Sequence, residues 1–351
     1  MKILIISTSV LPLGGKGYGG IEKLCLDFVE QLNNRGHDVS VAAPIGSKVP
    51  DGVRLIETVK LPEEQDRDDL SMFKYLKEGA GCGKGLVGKG GTWEVVHDFS
   101  HGHNLARWLG RGPIISMLWD PVVYKYGKAP YNIVCLSEWQ KERFEKLYNQ
   151  KAIVMPPLVN TDRYKPDPNA KRERFLFLGK ISPEKGVHLA IEYAKELKVP
   201  LDVVGGLIPS EQNSQYLKMI SNMVDRARYQ ENLDIQFYWN VSEEDKIKFL
   251  QNAKAVIYPV QQDEAHWLVG VEAWACGTPT IALDKGALLD INIGGWVGTE
   301  EYVKHIIRWI DESPKDFKQH NVKETTEKYG HESVIPQWEN LYKEVASGKR
   351  W

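Results

Sequence analysis

Residues 2–43 alternate in a way that leaves few folds open. Lys2–Ser7 is a short continuous run of β-forming residues, followed by a glycine-rich loop from Pro12 to Gly20. Ile21 to about Asn34 then carries apolar residues at helical spacing, Gly36 ends the pattern, and Val39–Ala43 is a second β-rich run. An unbroken apolar strand suits a parallel sheet covered on both faces, because a sheet with one wet face alternates apolar and polar residues. Strand, loop, helix, strand is a βαβ unit. The same alternation resumes further on, with strands predicted at Trp93–His97, Pro113–Leu118, Ile133–Leu136, Phe175–Gly179, Leu201–Val204, Asp234–Phe237 and Ala255–Pro259. The class is therefore α/β, built of doubly wound Rossmann-like sheets.

At 351 residues the chain is long enough for two domains, each with its own core. A Pro, Asp and Asn run up to Ala170 has the composition of a hinge. It places one domain at 1–165 and a second at 166–328, ahead of a predicted C-terminal helix over Tyr329–Val345. Forty-five basic and forty-seven acidic side chains nearly cancel, which gives no reason to expect nucleic acid or broad attraction to an anionic membrane. The four cysteines (Cys25, Cys82, Cys135, Cys276) are scattered, favouring reduced thiols over disulfides or zinc. The first apolar run is broken by Pro12 and Gly14, which suits a buried strand better than a signal peptide, and no apolar stretch reaches transmembrane length. These features predict a soluble, cytoplasmic protein without a transmembrane segment, for which peripheral membrane contact stays open.

Two glycine patterns invite phosphate readings and fail them. Gly15, Gly17 and Gly20 satisfy G-x-G-x-x-G, the basis for a nicotinamide oxidoreductase. They begin about eight residues after the strand, however, and the second strand ends in Ala-Ala-Pro rather than in an acidic residue for a ribose. Within residues 79–91, Gly83 and Gly88-Lys89 have P-loop spacing, but Gly90 stands where Ser or Thr is required and no strand precedes them. A surface loop is the better reading of that stretch, near the acceptor.

The chemistry concentrates in Asp263–Asp284. Glu264 falls in the loop after the Ala255–Pro259 strand, and a helix is predicted from Leu268 to Gly277. Glu264 then lies at the helix mouth and Glu272 one turn inside. Carboxylates there cannot bind phosphate, although the helix N-terminus can, and they suit sugar or ribose hydroxyls instead. The stretch Glu264, seven residues, Glu272, Ala273-Trp274-Ala275-Cys276-Gly277-Thr278-Pro279 resembles the signature of family 4 glycosyltransferases. Three further segments match in order. The first loop carries Gly19-Gly20-x-Glu22, Met155–Pro166 resembles the segment closing the first domain, and Gly179-Lys180 leads into Glu184-Lys185-Gly186.

The resemblance spans nearly the whole chain and implies the GT-B arrangement of two doubly wound domains facing across a cleft, with the last helix (329–351) packing back on the first. It implies transfer of a hexose-type sugar from a nucleotide diphosphate sugar to an acceptor, with retention at the anomeric carbon. That acceptor would be a sugar, a lipid-linked molecule or a small molecule. Lys180 and Lys185 would meet the diphosphate, Glu264 with the nearby N–H groups of Trp267 and Leu268 the donor sugar, and Glu272 the ribose. Gly19, Gly20, Gly205 and Val241 would approach the donor through backbone groups. No Asp-x-Asp metal motif is evident, so no metal and no cofactor beyond the co-substrate are expected. Two departures stand out. Phe99 replaces the second histidine of an apolar-apolar-His-x-His pattern, with His101 as the substitute from the loop. His266-Trp267 replaces Phe-Gly, narrowing or moving the sugar pocket unless a sugar stacks on Trp267. A GT-B-like nucleotide-sugar-binding protein without useful catalysis is the alternative that these departures motivate.

Overall fold

The computed structural model describes residues 1–15, 19–58, 93–109, 112–120, 129–206, 211–313 and 322–351. The glycine-rich 79–91 stretch, Gly17 and Cys82 lie outside the described residues. The chain divides into two compact units, the first holding residues up to Leu158 and again His331–Trp351, the second Val159–Gly330.

In the first unit the strands are β1 (Lys2–Ile6), β2 (Asp38–Ala43), β3 (Arg54–Glu57), β4 (Val95–Asp98), β5 (Ile114–Met117), β6 (Ile133–Cys135) and β7 (Ala152–Val154). They form one parallel sheet in the order β3-β2-β1-β4-β5-β6-β7. Among the described residues, its connections supply the helices α1 (Gly20–Asn34), α2 (Asn104–Leu109) and α3 (Glu138–Tyr148). Ser137 caps α3, its hydroxyl accepting from the Gln140 N–H at 3.2 Å. Across the break between the two stretches of the unit, helix α11 (His331–Ala346) docks through aromatic rings. Trp338 stacks on His97 at 4.4 Å between centroids and meets Phe28 of α1 edge-on at 5.3 Å. The Tyr342 hydroxyl lies 2.8 Å from His97 Nδ1. Glu339 then accepts from Arg35 Nε at 3.0 Å and approaches His37 Nε2 at 2.8 Å.

The second unit contains β8 (Arg174–Lys180), β9 (Leu201–Gly206), β10 (Ile235–Trp239), β11 (Ala253–Tyr258), β12 (Thr280–Leu283) and β13 (Gly295–Gly298). They are parallel in the order β10-β9-β8-β11-β12-β13. Its helices are α4 (Val187–Leu197), α5 (Glu211–Tyr229), α6 (Glu243–Asn252), α7 (Leu268–Ala275), α8 (Leu288–Ile291), α9 (Glu300–Glu312) and α10 (Val322–Tyr329). One core draws Phe175 and Phe177 of β8, Val203 of β9, Ile257 of β11, Ile191 of α4, Ile220 of α5 and Ile307 of α9 together. Close packing also fixes a glycine: a Cβ on Gly205 would come within 2.2 Å of the Gly179 carbonyl oxygen on the neighbouring strand.

The strands named from sequence lie within two residues of their observed limits, and two boundaries need correction. The C-terminal helix does not begin at Tyr329: α10 ends there, Gly330 intervenes, and α11 starts at His331. Tyr329 stays with the second unit because its ring meets His266 edge-on at 5.4 Å. Residues 159–165 likewise belong to the second unit, since Tyr164 bonds Glu272 on α7 at 3.1 Å.

The fully buried Trp338 fills the centre of the α11 contact. Trp338→Ala is expected to destabilise the first unit by roughly 3–5 kcal/mol, seen as a lower urea midpoint, and Trp338→Phe by much less.

Candidate functional site

In both sheets the strand order reverses beside the first strand of the unit, between β1 and β4 and again between β8 and β11. Loops leaving the carboxyl ends of such a pair turn to opposite faces and leave a crevice where α/β proteins bind ligands.

In the second unit that crevice is built from the residues after β8 and β11. Lys180 ends β8, and its Nζ donates to Glu184 Oε1 at 3.0 Å. A turn of 3-10 helix over Pro183–Lys185 follows, capped by Gly186 with φ 71°. A Cβ there would lie 1.9 Å from the Pro259 carbonyl oxygen, so the two loops touch backbone to backbone. Lys185 Nζ crosses from one loop to the other, 2.5 Å from Glu264 Oε1 and 3.0 Å from the Tyr258 hydroxyl. Tyr258 also reaches Glu264 Oε1 at 3.1 Å. Glu264 is fastened through its backbone, its carbonyl accepting from the Ala287 N–H at 2.8 Å. The side chains of Lys185 and Glu264 are 19% and 13% exposed, so the pair is largely dry yet within reach of a ligand.

Glu272 lies one turn into α7 and is held differently. Its Oε1 accepts from Lys246 Nζ of α6 at 2.7 Å and from the Tyr164 hydroxyl at 3.1 Å. Lys246 also faces Glu243 at 3.2 Å, and Tyr164 bonds the same carboxylate. Burial alone would pull the Lys246 pKa down, but the two carboxylates outweigh it and the net shift is upward.

Trp267 is a correction. Its ring is 2% exposed, stacked on Tyr258 at 4.8 Å and packed against Trp274. It cannot stack on a sugar and instead braces the tyrosine that holds Lys185 and Glu264. His266 is equally interior, its pKa lowered to about 3 by burial. No side chain caps α7, so the Leu268 N–H opens an uncapped helix end.

Val241 follows β10 and lines a cavity of about 490 Å³ together with Arg174, Asp202, Tyr238 and Phe249. Lys180, Lys185, Glu264, Glu272 and Gly205 are not part of its wall. The cavity rests on the ion pair of Arg174 Nε with Asp202 Oδ1 at 2.8 Å.

In the first unit the reversal gathers Thr8 after β1, Glu22 at the start of α1 and His101 after β4. The Thr8 hydroxyl donates to Glu22 Oε1, and Gly19 lies against the same carboxylate; a Cβ there would be 3.2 Å from Oε2. Gly20 begins α1. Burial raises the Glu22 pKa, against the opposing influence of Thr8, the backbone, His101 and Lys23. Phe99 is fully buried between Phe28, His97 and Trp119 and contributes to the core only.

Tyr258, Tyr164 and Lys246 were not identified from sequence. Tyr258 closes an apolar strand and Lys246 sits in a polar helix, so spacing gave neither a signal. Among the described residues no group of three or more His, Cys, Asp or Glu is placed to hold a metal ion, and no helix is long and apolar enough to cross a membrane.

Glu22→Gln should raise stability near pH 7, because burial raises the carboxyl's folded pKa. A carboxyl with a raised folded pKa costs stability only above its ordinary pKa. The advantage should therefore grow from about pH 4 upward and vanish below it in urea titrations; a pH-independent difference would contradict this.

The family model described as Glycosyl transferases group 1 matches residues 159–328, almost the whole second unit. An uncharacterised glycosyltransferase of Methanocaldococcus jannaschii is 24% identical over 223 residues, 61% of this chain and 60% of that protein. The chain thus spans about three fifths of that relative's length. A GDP-mannose-dependent alpha-(1-6)-phosphatidylinositol monomannoside mannosyltransferase of Mycolicibacterium smegmatis is 26% identical over 80% of this chain and 81% of its own. Among solved structures, sucrose-phosphate synthase from Thermosynechococcus elongatus superposes with a TM-score of 0.81 at 16% identity, covering 99% of both chains. HepE of Anabaena in complex with UDP-glucose does so with a TM-score of 0.71 at 14% identity, covering 99% of this chain and 100% of that one. The chain has the GT-B fold, and its second unit is similar to the group 1 glycosyl transferases.

Proposed function

We propose that this protein is a family 4 glycosyltransferase, moving a hexose-type sugar from a nucleotide diphosphate sugar to a sugar, lipid-linked or small-molecule acceptor with retention at the anomeric carbon. The observation that carries this reading is Lys185 Nζ at 2.5 Å from Glu264 Oε1 and 3.0 Å from the Tyr258 hydroxyl, at the strand reversal of the second sheet. An ammonium fixed there neutralises charge that builds on a leaving diphosphate. Lys180, at the end of β8, supplies a second cation for the same group. Glu264 accepts from hydroxyls of the donor sugar while Lys185 holds its carboxylate in place, and the backbone N–H groups at the start of α7 face the same region. Glu272 takes the ribose diol. Val241 with Gly205 approaches the base side. In the first unit, Gly19 and Gly20 offer backbone groups, and His101 beside Glu22 is the candidate for serving the acceptor. No metal is needed when lysines and a helix terminus carry the diphosphate charge. The donor class is supported by what the relatives are named for: GDP-mannose in the mycobacterial enzyme and UDP-glucose in the Anabaena complex.

A second reading, a GT-B nucleotide-sugar-binding protein without turnover, is favoured by one observation. Phe99, where the resemblance places a histidine, is core.

A thermal-shift screen over UDP-, GDP- and ADP-sugars is expected to show stabilisation by one nucleotide class. Release of the free nucleotide diphosphate on incubation with simple acceptors separates turnover from binding. Lys185→Ala should weaken diphosphate binding about tenfold or more with the fold intact; unchanged affinity would remove Lys185 from the site.

A further inference from the structure

Lys246 has no role in the reaction described above, and its surroundings are unusual for a lysine. It lies on α6, is 8% exposed, and sits 5.0 Å over the ring of Tyr164. Its Nζ bridges Glu272 Oε1 at 2.7 Å and Glu243 Oε1 at 3.2 Å. Two carboxylates packed this closely repel each other, and removing the cation between them would leave uncompensated charge in a dry site.

The Tyr164 hydroxyl touches both carboxylates but has one proton to give, so it can serve only one at a time. The ammonium has three and serves both. Lys246 is therefore the donor that fixes which oxygen of Glu272 faces α6. The other oxygen, Oε2, is covered from solvent and has no hydrogen-bond partner among the described residues. Such a state costs about 1–3 kcal/mol, and a turn of the carboxylate toward an arriving hydroxyl would relieve it. The Glu272 side chain is 17% exposed, which leaves a route for that hydroxyl.

We propose that Lys246 is a positioning residue for the nucleotide ribose: by holding one oxygen of Glu272 it presents the carboxylate, correctly oriented, to the 2′- and 3′-hydroxyls. Tyr164 assists from the segment that opens the second unit. This inference rests on the assignment of Glu272 to the ribose, and the experiment separates the two.

Affinities of the full chain for UDP, GDP and ADP are measured beside those for their 2′,3′-dideoxy forms. For the nucleotide that binds best, loss of the diol should weaken binding by about tenfold or more. Lys246→Met should bring that ratio toward unity while leaving the affinity for the dideoxy form unchanged. Tyr164→Phe, the milder change, should lower it in the same sense but by less. A merely structural role would weaken both forms equally and leave the ratio alone. An unchanged ratio in Lys246→Met, or in Tyr164→Phe if the methionine variant does not fold, overturns the proposal. A wild-type protein that binds both forms equally well removes Glu272 from the ribose, and the assignment of Lys246 goes with it.

Discussion

The contact between Lys185 and Glu264 sets the geometry on which the candidate donor site depends. Two loops that leave the sheet at neighbouring strands are joined through it, and the close approach of Gly186 to the Pro259 carbonyl allows no other spacing. Stability alone is a poor explanation for such a pair. Taking both charges out of water costs several kcal/mol, and well-packed apolar residues of similar volume often do as well or better. What an apolar pair cannot do is leave a cation and a carboxylate pointing into a crevice at the carboxyl end of a parallel sheet. Tyr258 satisfies both charges without neutralising either, and Trp267 stacked behind it removes its freedom to turn. The polar layer of Lys185 and Glu264 is thus braced by an aromatic layer facing the core.

The second motif carboxylate obeys the same logic with different parts. Glu264 is paired by a lysine from its own rim, Glu272 by a lysine from a neighbouring helix. In each case a largely buried carboxylate is kept beside an ammonium. The first unit departs from this scheme. Its strand reversal holds Glu22, a buried carboxyl whose partner is the neutral hydroxyl of Thr8, and burial raises its pKa.

Much of this was legible in the chain before any coordinates. The βαβ alternation gave two parallel sheets because strands buried on both faces carry unbroken apolar runs. Lys180, Lys185, Glu264 and Glu272 could be named because they stand in segments that resemble family 4 glycosyltransferase motifs, each beside a recognisable strand or helix start. Tyr164 and Lys246 could not, because each meets Glu272 across 108 and 26 residues of chain and neither lies in a periodic pattern that points at it. Trp267 was misread for a related reason. A tryptophan in a loop beside a helix mouth has the composition of a ligand platform, and only the position of Tyr258 and Gly270 shows that the ring folds back over the first turn of α7.

The two departures from the family pattern are absorbed in the same way, by the core rather than by the site. His266 and Trp267 stand where Phe-Gly would be usual, yet both rings turn inward, onto Tyr329 and Tyr258. Phe99 joins Phe28, His97 and Trp119, in the aromatic layer that α11 closes with Trp338 and Tyr342. A histidine at position 99 would place a second imidazole in that layer beside His97, whose own pKa is already lowered to about 3 by burial. It would stay neutral for the same reason and would need a partner for each ring nitrogen. Phenylalanine fills the space without that demand. The polar function expected two residues past His97 has no side chain to carry it there, while His101, two residues further along the chain, lies close enough to Glu22 to oppose the effect of burial on that carboxyl.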